Sequence, residues 1–223
     1  MREIVLDTET TGLDPFAGHR VVEIACIELV NRIPTGKSYQ TYLNPERDMP
    51  EEAFKVHGLS REFLAGHKTF AEEADRFLDF IGDAGFVIHN AEFDLKFLNW
   101  ELGNIDRDGL TAHPVVDTVL LARKKFPGAP ASLDALCRRF GIDNSARTVH
   151  GALLDAELLA DVYLELMGGR QTALGFAAGS GRADAAATRQ RESRAPRPHA
   201  ASAEELAAHA AFLARIKDPI WNG

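Results

Sequence analysis

The chain has 223 residues, enough to bury one hydrophobic core and leave residues over, so we expect one main domain with an appendage. Its net charge of −8 argues against a general nucleic-acid-binding protein, which would carry a basic surface. The charge is uneven, because residues 1–169 hold 17 Lys and Arg against 28 Asp and Glu, whereas residues 170–223 hold 8 against 5. An acidic body acting on a phosphodiester would need metal ions at its site and a partner that delivers the substrate.

The cysteines and the N-terminus indicate the cellular compartment. Cys26 and Cys137 both lie in apolar sequence and are predicted to be core thiols of a reducing compartment, neither a disulfide nor a metal site. The N-terminus leads directly into the first predicted strand, and no uninterrupted apolar run approaches membrane-spanning length. We therefore expect a cytoplasmic protein.

The first predicted strand contains residues 4–6, Ile-Val-Leu, and continues into Asp7 and Glu9. Because side chains alternate along an extended chain, these two carboxylates project to the same side. Like charges that close in a poorly solvated place must be protonated or neutralised, and divalent ions such as Mg²⁺ or Mn²⁺ prefer carboxylate oxygens. A lone Asp-x-Glu more often simply faces water, so a metal site requires further acids downstream.

Two more strands follow and predict a meander of three neighbours. Residues 20–30 form a long apolar run that Glu23 interrupts, and residues 37–43 form an alternating strand. Asp7 and Glu9 are therefore expected on a central strand of the sheet.

Helices are predicted in the middle of the chain. Residues 50–64 form two short helical pieces joined at Gly58, and spacing alone places His57 on the surface. Thr69 and Glu72 form a capping box that opens a longer helix, which is expected to cover the sheet. The apolar stripe of that helix consists of Phe70, Ala74, Phe77, Leu78 and Ile81.

Asp94 is the third acid of interest, since it follows a short strand over residues 86–88 and lies on a helix expected to pack inward. Its neighbours Phe93 and Phe97 make an unpaired carboxylate costly. A salt bridge or a helix cap explains Asp94 alone as well as a ligand role does. Its combination with Asp7 and Glu9 favours the ligand role.

Four polar residues are predicted to have structural roles and no part in a functional site. Residues 114–118 form a short strand running into a helix, with Asp117 at the N-cap, and Ser132 is the N-cap of the next helix. Asp134 and Asp161 are predicted to be solvated helix positions.

The last helix of the body is expected to end near Met167 and to carry Asp155. Spacing keeps His150 and Asp155 on different faces if both are helical. Gly151 allows His150 to belong to the preceding loop and to lie over the surface from which Asp155 projects. Considered alone, His150 is more simply a surface residue.

The ordered set Asp7-x-Glu9, Asn90-x-x-Phe93-Asp94 and His150-x-x-x-x-Asp155 resembles the three motifs of the DEDDh exonucleases of the DnaQ-like superfamily. The likeness covers essentially residues 1–176, including Leu-Asp-Thr-Glu-Thr-Thr-Gly at residues 6–12. It implies an RNase H-like α/β fold with a mixed five-stranded sheet flanked by helices, spanning residues 1–169. It also implies a metal-dependent 3′→5′ DNA exonuclease that proofreads for a replicative polymerase.

The resemblance implies a role for each site residue. Two divalent ions, Mg²⁺ or Mn²⁺, support hydrolysis of the terminal phosphodiester at a DNA 3′ end, with release of a 5′-nucleotide. Asp7 would bridge both ions, Glu9 and Asp155 would hold the water-activating ion, and Asp94 would lie by the second. His150 would be the general base. The implied substrate-binding residues are Asp7, Glu9, Glu52, His57 and Asp155.

The tail is predicted to bind partners. Residues 170–201, rich in Gly, Ala, Ser, Arg and Pro, are expected to form a flexible linker. Within it, Gln171–Phe176 is similar to the peptide by which replication proteins bind the sliding clamp. Residues 202–223 contain a capping box, Ser202 and Glu205, that opens an amphipathic helix expected to fold on a partner. Its apolar stripe is Leu206, Ala210, Leu213 and Ile216.

By the same resemblance, the partner of residues 202–223 is the polymerase subunit, with Ile220 and Trp221 as a terminal anchor. A further small, theta-like subunit is another partner that the resemblance suggests. Packing of the helix back on the body is the alternative that the long linker permits.

Two other functions stay open. A free-standing ribonuclease of the RNase T or oligoribonuclease type would use the same chemistry, but it has no evident use for the tail. A non-catalytic replisome tether is the second, and the presence of all five site residues argues against it.

Overall fold

The computed structural model describes residues 1–147, 149–169 and 200–216. The strands are β1 (Arg2–Thr10), β2 (Val21–Val30), β3 (Ile33–Tyr42), β4 (Gly85–Ile88) and β5 (Val115–Asp117). They form one mixed sheet in the order β3-β2-β1-β4-β5, in which β1 is antiparallel to β2 and parallel to β4. The predicted meander and the central position of β1 are confirmed, although β3 begins at Ile33, before the predicted start at residue 37.

The helices of the body connect and cover these strands. They are α1 (Glu51–His57), α2 (Arg61–Leu64), α3 (Phe70–Ile81), α4 (Ala91–Gly103), α5 (Thr118–Lys125), α6 (Leu133–Phe140) and α7 (Ala152–Leu166). The predicted five-stranded α/β fold is thus confirmed. Across the described ranges of the chain, every helix falls short of the length or the hydropathy that a membrane-spanning helix needs.

Alternation along β1 divides its side chains between two buried clusters. Ile4 and Leu6 pack with α3 and α4 on one face of the sheet, whereas Val5 packs with α6 and α7 on the other. Asp7 and Glu9 continue the alternation of Val5, so they lie on the face that α7 covers. The prediction that both carboxylates project to one side is confirmed.

The predicted capping and packing of α3 are also confirmed. The backbone N–H of Thr69 donates to Oε2 of Glu72 at 2.8 Å, closing the capping box. Four positions of the predicted stripe are buried and Leu78 is partly buried against the same cluster.

Cys26 and Cys137 are free and buried, as predicted, and burial raises the pKa of both thiols.

Asp117 connects the starts of two helices. One carboxylate oxygen accepts from the backbone N–H groups of Val119 and Leu120 at 2.8 and 3.2 Å, which confirms the predicted N-cap of α5. The other oxygen accepts from the N–H of Ala91, the first residue of α4, at 3.0 Å. Ser132 likewise caps α6 by accepting from the N–H of Ala135.

We expect Asp117→Ala to lower the free energy of unfolding by about 1–3 kcal/mol, because it removes acceptors from the amides of two helices at once. Urea denaturation measures this change. The exposed Asp161 provides the control, since Asp161→Ala should change stability by less than about 0.5 kcal/mol. Equal effects of the two substitutions would contradict the bridging role.

The chain divides into two units, Met1–Gly175 and Phe176–Gly223. In the second, α8 (Ala203–Leu213) begins at the predicted capping box, where the N–H of Ser202 donates to Glu205 at 2.8 Å. Ile216 lies beyond the end of α8, so the helical stripe is shorter than predicted. No residue within α8 is buried. Residues 171–176, most of the predicted linker and the predicted anchor at residues 220–221 lie outside the described residues.

Candidate active site

Four carboxylates from three elements meet near the carboxyl end of β1. Asp7 and Glu9 come from β1, Asp94 comes from α4 on one face of the sheet, and Asp155 comes from α7 on the other. The charges of Asp94, Glu9 and Asp155 all act on Asp7. The structure therefore brings together all four acids that the sequence motifs indicate.

Asp94 is held from the strand beside it. Its side chain is almost fully buried, at 3 % exposure, and Oδ1 accepts a hydrogen bond of 2.7 Å from the hydroxyl of Thr8. Burial raises the pKa of Asp94 to about 7, although the hydrogen bond from Thr8 opposes the shift. Thr8, which lies between Asp7 and Glu9 in the sequence, thus ties the Asp94 carboxylate to β1.

The two acids of β1 are difficult to ionise together. Burial, with the nearby charges of Asp155 and Glu23, raises the pKa of Glu9 to about 8. Removal from water, followed by repulsion from Asp94 and Glu9, raises the pKa of Asp7 well above its usual range. A cluster of this kind is stabilised when a cation neutralises it.

The donor set fits divalent cations. Glu9, His150 and Asp155 each offer a ligand atom, and these atoms lie within 4.8 Å of one another. Carboxylate oxygens dominate the cluster, and they are the ligands that Mg²⁺ and Mn²⁺ prefer.

Arg147, in the loop between α6 and α7, is a site residue that sequence reasoning missed. Its guanidinium pairs with both carboxylate oxygens of Asp155, with Nη2 at 2.7 Å from Oδ2. Asp134 is a helix position whose side chain is 43 % exposed, as predicted, and it also pairs with Nη1 of Arg147 at 3.0 Å. Asp161 is exposed, as predicted. Loop residues follow no periodic pattern, so the sequence gives no signal that would identify an arginine three positions before His150.

His150 lies in the loop before α7, as predicted. Its Nδ1 is 3.3 Å from Oδ2 of Asp155 and 2.8 Å from Nη2 of Arg147, and its backbone N–H donates to the carbonyl of Val56. The reason given from sequence was wrong in one respect: Gly151 has an extended backbone with φ of −157°, which any residue can adopt. The loop conformation therefore does not depend on the freedom of glycine.

A cavity of about 500 Å³ opens beside the acids. Residues 8–14 of β1 and the following turn form one wall, and Glu52 and His57 of α1 lie on another. The surface position predicted for His57 is wrong, since the residue is 5 % exposed. Its helix ends at Gly58, which has φ of +72°, and the chain turns so that the N–H of Leu59 donates to Nδ1 of His57 at 3.0 Å.

The hydrogen bonding of His57 leaves one donor for a ligand. Because Nδ1 accepts from Leu59, the ring proton lies on Nε2, which is buried near the backbone of Thr10 and makes no well-aligned hydrogen bond among the described residues. Burial lowers the pKa of His57, which favours this neutral ring. A buried donor of this kind in a cavity wall is suited to a polar group of a bound molecule.

The raised pKa values predict a pH dependence of stability. An acid whose pKa is raised on folding stabilises the folded state below its unfolded pKa, and this contribution is lost as pH rises through the folded pKa. For Glu9 this stabilising contribution is lost as the pH rises from about 4.5 to about 8. In EDTA, we expect the free energy of unfolding to fall more between pH 5 and pH 8 in the unaltered protein than in Glu9→Gln. Urea denaturation at both pH values tests this, and parallel pH dependence would contradict it.

Comparison with known proteins agrees with this geometry. A family model described as Exonuclease matches residues 4–163. The DNA polymerase III subunit epsilon of Rickettsia conorii is 50% identical over 222 residues, covering 97% of this chain and 96% of that protein. The protein of the same name from Escherichia coli is 51% identical over 183 residues, covering 79% and 75%.

A solved structure shares the fold. The nuclease domain of 3′hExo, a DEDDh family member bound to rAMP, matches with a TM-score of 0.64 over 74% of this chain and 91% of that chain, at 17% identity. The chain therefore belongs to the exonuclease family and is a homologue of the proteins named DNA polymerase III subunit epsilon.

Proposed function

We propose that this exonuclease removes nucleotides from the 3′ end of DNA and serves as the proofreading subunit of a replicative DNA polymerase. The observation that carries the chemistry is the convergence of Asp7, Glu9, Asp94 and Asp155 beside His150. The polymerase context comes from the homologues named DNA polymerase III subunit epsilon.

The acids would hold two divalent ions, Mg²⁺ or Mn²⁺. When bound, such ions activate water and stabilise the leaving 3′-oxygen of a phosphodiester. Asp7, Glu9, Asp94 and Asp155 would hold these ions, with Glu9 and Asp155 on the water-activating one and Asp94 by the other. Together these carboxylates offset most of the cationic charge.

His150 would accept the proton of the attacking water. Nδ1 is the ring nitrogen close to Asp155, and it accepts from Arg147. A guanidinium only donates, so Nδ1 carries a lone pair and the neutral ring holds its proton on Nε2. Nδ1 can take a proton once Arg147 turns away from it.

The cavity would hold the terminal nucleotide. Its volume of about 500 Å³ suits one small ligand, and Glu52 and His57 reach it from α1. Nε2–H of His57 would donate to the nucleotide. A mismatched 3′ end frays more easily than a paired one, and only an unpaired strand can reach the acids. Selection of mismatched ends therefore needs no recognition of particular bases.

The tail would join the enzyme to its partners in the cytoplasm. Residues 202–223 would bind the alpha subunit of the polymerase, residues 171–176 the sliding clamp, and a small theta-like subunit would complete the assembly. The exposure of Leu206 and Phe212, at 58 % and 59 %, supports a helix that acquires its core on a partner.

A primer labelled at its 5′ end and mismatched at its 3′ end tests the activity. With Mn²⁺ or Mg²⁺, we expect stepwise shortening and release of 5′-mononucleotides, faster than from a matched end. A faster reaction on RNA of the same sequence would instead favour the ribonuclease. No release in the presence of Mn²⁺ would favour the non-catalytic tether.

Capture of the polymerase alpha subunit tests the tail. The full-length chain should retain it, whereas a chain ending at residue 169 should not. Equal capture by both proteins would refute the proposed role of residues 202–223.

A further inference from the structure

Glu23 is a buried acid with no assigned role in the chemistry. It lies on β2, is 2 % exposed, and stands directly opposite Glu9 in the register of β1 and β2. A buried carboxylate beside another acid is unfavourable unless hydrogen bonds compensate it. Its hydrogen bonds therefore indicate what it does.

Glu23 caps a helix that is distant in sequence. Its Oε2 accepts from the backbone N–H of Ala152, the first residue of α7, at 3.1 Å across a separation of 129 residues. Its Oε1 accepts from Nε2 of Gln40 on β3 at 2.7 Å. The first amides of a helix have no partner within the helix, and the N-cap Gly151 has no side chain to supply one.

This cap stands at the catalytic end of α7. Asp155 lies in the first turn of the helix, and His150 immediately precedes Gly151. A bond that fixes the amide of Ala152 to β2 therefore fixes the approach of Asp155 and His150 toward Glu9 on the adjacent strand.

We propose that Glu23 is a positioning residue that holds the first turn of α7 against β2, so that Asp155 and His150 face the acids of β1. This inference rests on the proposed metal-dependent function. A simple contribution to helix stability is the competing explanation, and the test must separate the two.

Glu3 offers a matched control. It is 3 % exposed on β1, and its Oε1 accepts from the hydroxyl of Tyr163 in α7 at 2.8 Å. It thus connects a strand to the same helix from the same face of the sheet. It lies four residues before Asp7, the nearest acid of the site, which is about 13 Å along an extended strand, so it does not touch the acid cluster.

The first experiment compares Glu23→Ala, Glu23→Gln and Glu3→Ala. Calorimetric titration with Mn²⁺ measures metal affinity without turnover, and primer degradation gives kcat and KM. We expect Glu23→Ala to weaken Mn²⁺ binding about 10–100-fold and to lower kcat more than it raises KM. Glu23→Gln, whose amide oxygen can still accept from Ala152, should restore most of both. Glu3→Ala should lower the free energy of unfolding and leave Mn²⁺ affinity unchanged.

The second experiment adds a local cap. A side-chain Cβ at Gly151 would meet no atom within 4 Å among the described residues, and its extended backbone accepts any residue, so Gly151→Ser is sterically allowed. Serine there caps α7 without any bond to β2. In Glu23→Ala with Gly151→Ser, we expect stability to recover while Mn²⁺ affinity and kcat stay low, relative to Gly151→Ser alone. The double variant also provides a folded protein if Glu23→Ala unfolds.

Three results would overturn the inference. Recovery of Mn²⁺ affinity in the double variant would make Glu23 a helix cap only. Unchanged affinity and kcat in Glu23→Ala would remove the positioning role while leaving the proposed function intact. Absence of Mn²⁺ binding by the unaltered protein would overturn the proposed function and this inference with it.

Discussion

Asp7→Asn is expected to lower the rate of 3′-nucleotide release by about a thousandfold or more, since it removes charge from the carboxylate on which all the other acids act. Asparagine keeps the size of the side chain and one oxygen but cannot offset the charge of two cations. The same substitution should stabilise the folded protein at pH 8 in EDTA. The pKa of Asp7 is raised on folding, so its ionised form opposes folding at that pH.

Opposite signs for activity and stability make this prediction specific. Primer degradation measures the rate, and urea denaturation measures the free energy of unfolding. Asp161→Asn changes net charge equally at an exposed position of α7 and should affect neither quantity appreciably. Full turnover by Asp7→Asn, or destabilisation with lost turnover, would refute the account of the acids as a cation site.

The parts of this site that sequence predicts are those encoded by local periodicity. Alternation along β1 places Asp7 and Glu9 on one face, and that conclusion needs only a strand. The positions of His150 before a helix and Asp155 within its first turn are likewise local. The sequence favoured a ligand role for Asp94 only through its combination with Asp7 and Glu9, because the surroundings of Asp94 on α4 fit a structural role equally well.

The parts that sequence did not predict depend on contacts between distant segments. Glu23 was visible as a polar residue in an apolar strand, but its partner is an amide 129 residues away. His57 ends a short helix, and the spacing of residues along that helix does not show that its ring is buried in the folded chain. Arg147 lies in a loop whose course follows no repeating pattern, so its contact with Asp155 emerges only from the folded chain.

Arg147 also bears on how the site operates. Its guanidinium occupies both oxygens of Asp155 and donates to Nδ1 of His150. The arginine thus partly offsets the excess negative charge of the site, and its charge opposes the rise in the pKa of Glu9. By donating to Nδ1, the arginine also occupies the lone pair with which His150 would accept a proton. Proton transfer to His150 therefore requires Arg147 to release Nδ1, while Asp134 remains as an alternative partner for the guanidinium.

His150→Ala is expected to lower kcat by about 10²–10⁴-fold, the range typical of general-base catalysis. Half of the His150 side chain is exposed, so its removal leaves a space that solvent can reach. Added imidazole should therefore restore part of the lost rate by accepting the proton from the attacking water. It should restore none in Asp7→Asn, because imidazole cannot replace a carboxylate shared by two cations. Rescue of the first variant alone would separate proton transfer from cation binding, whereas an undiminished kcat in His150→Ala would assign the proton to another acceptor.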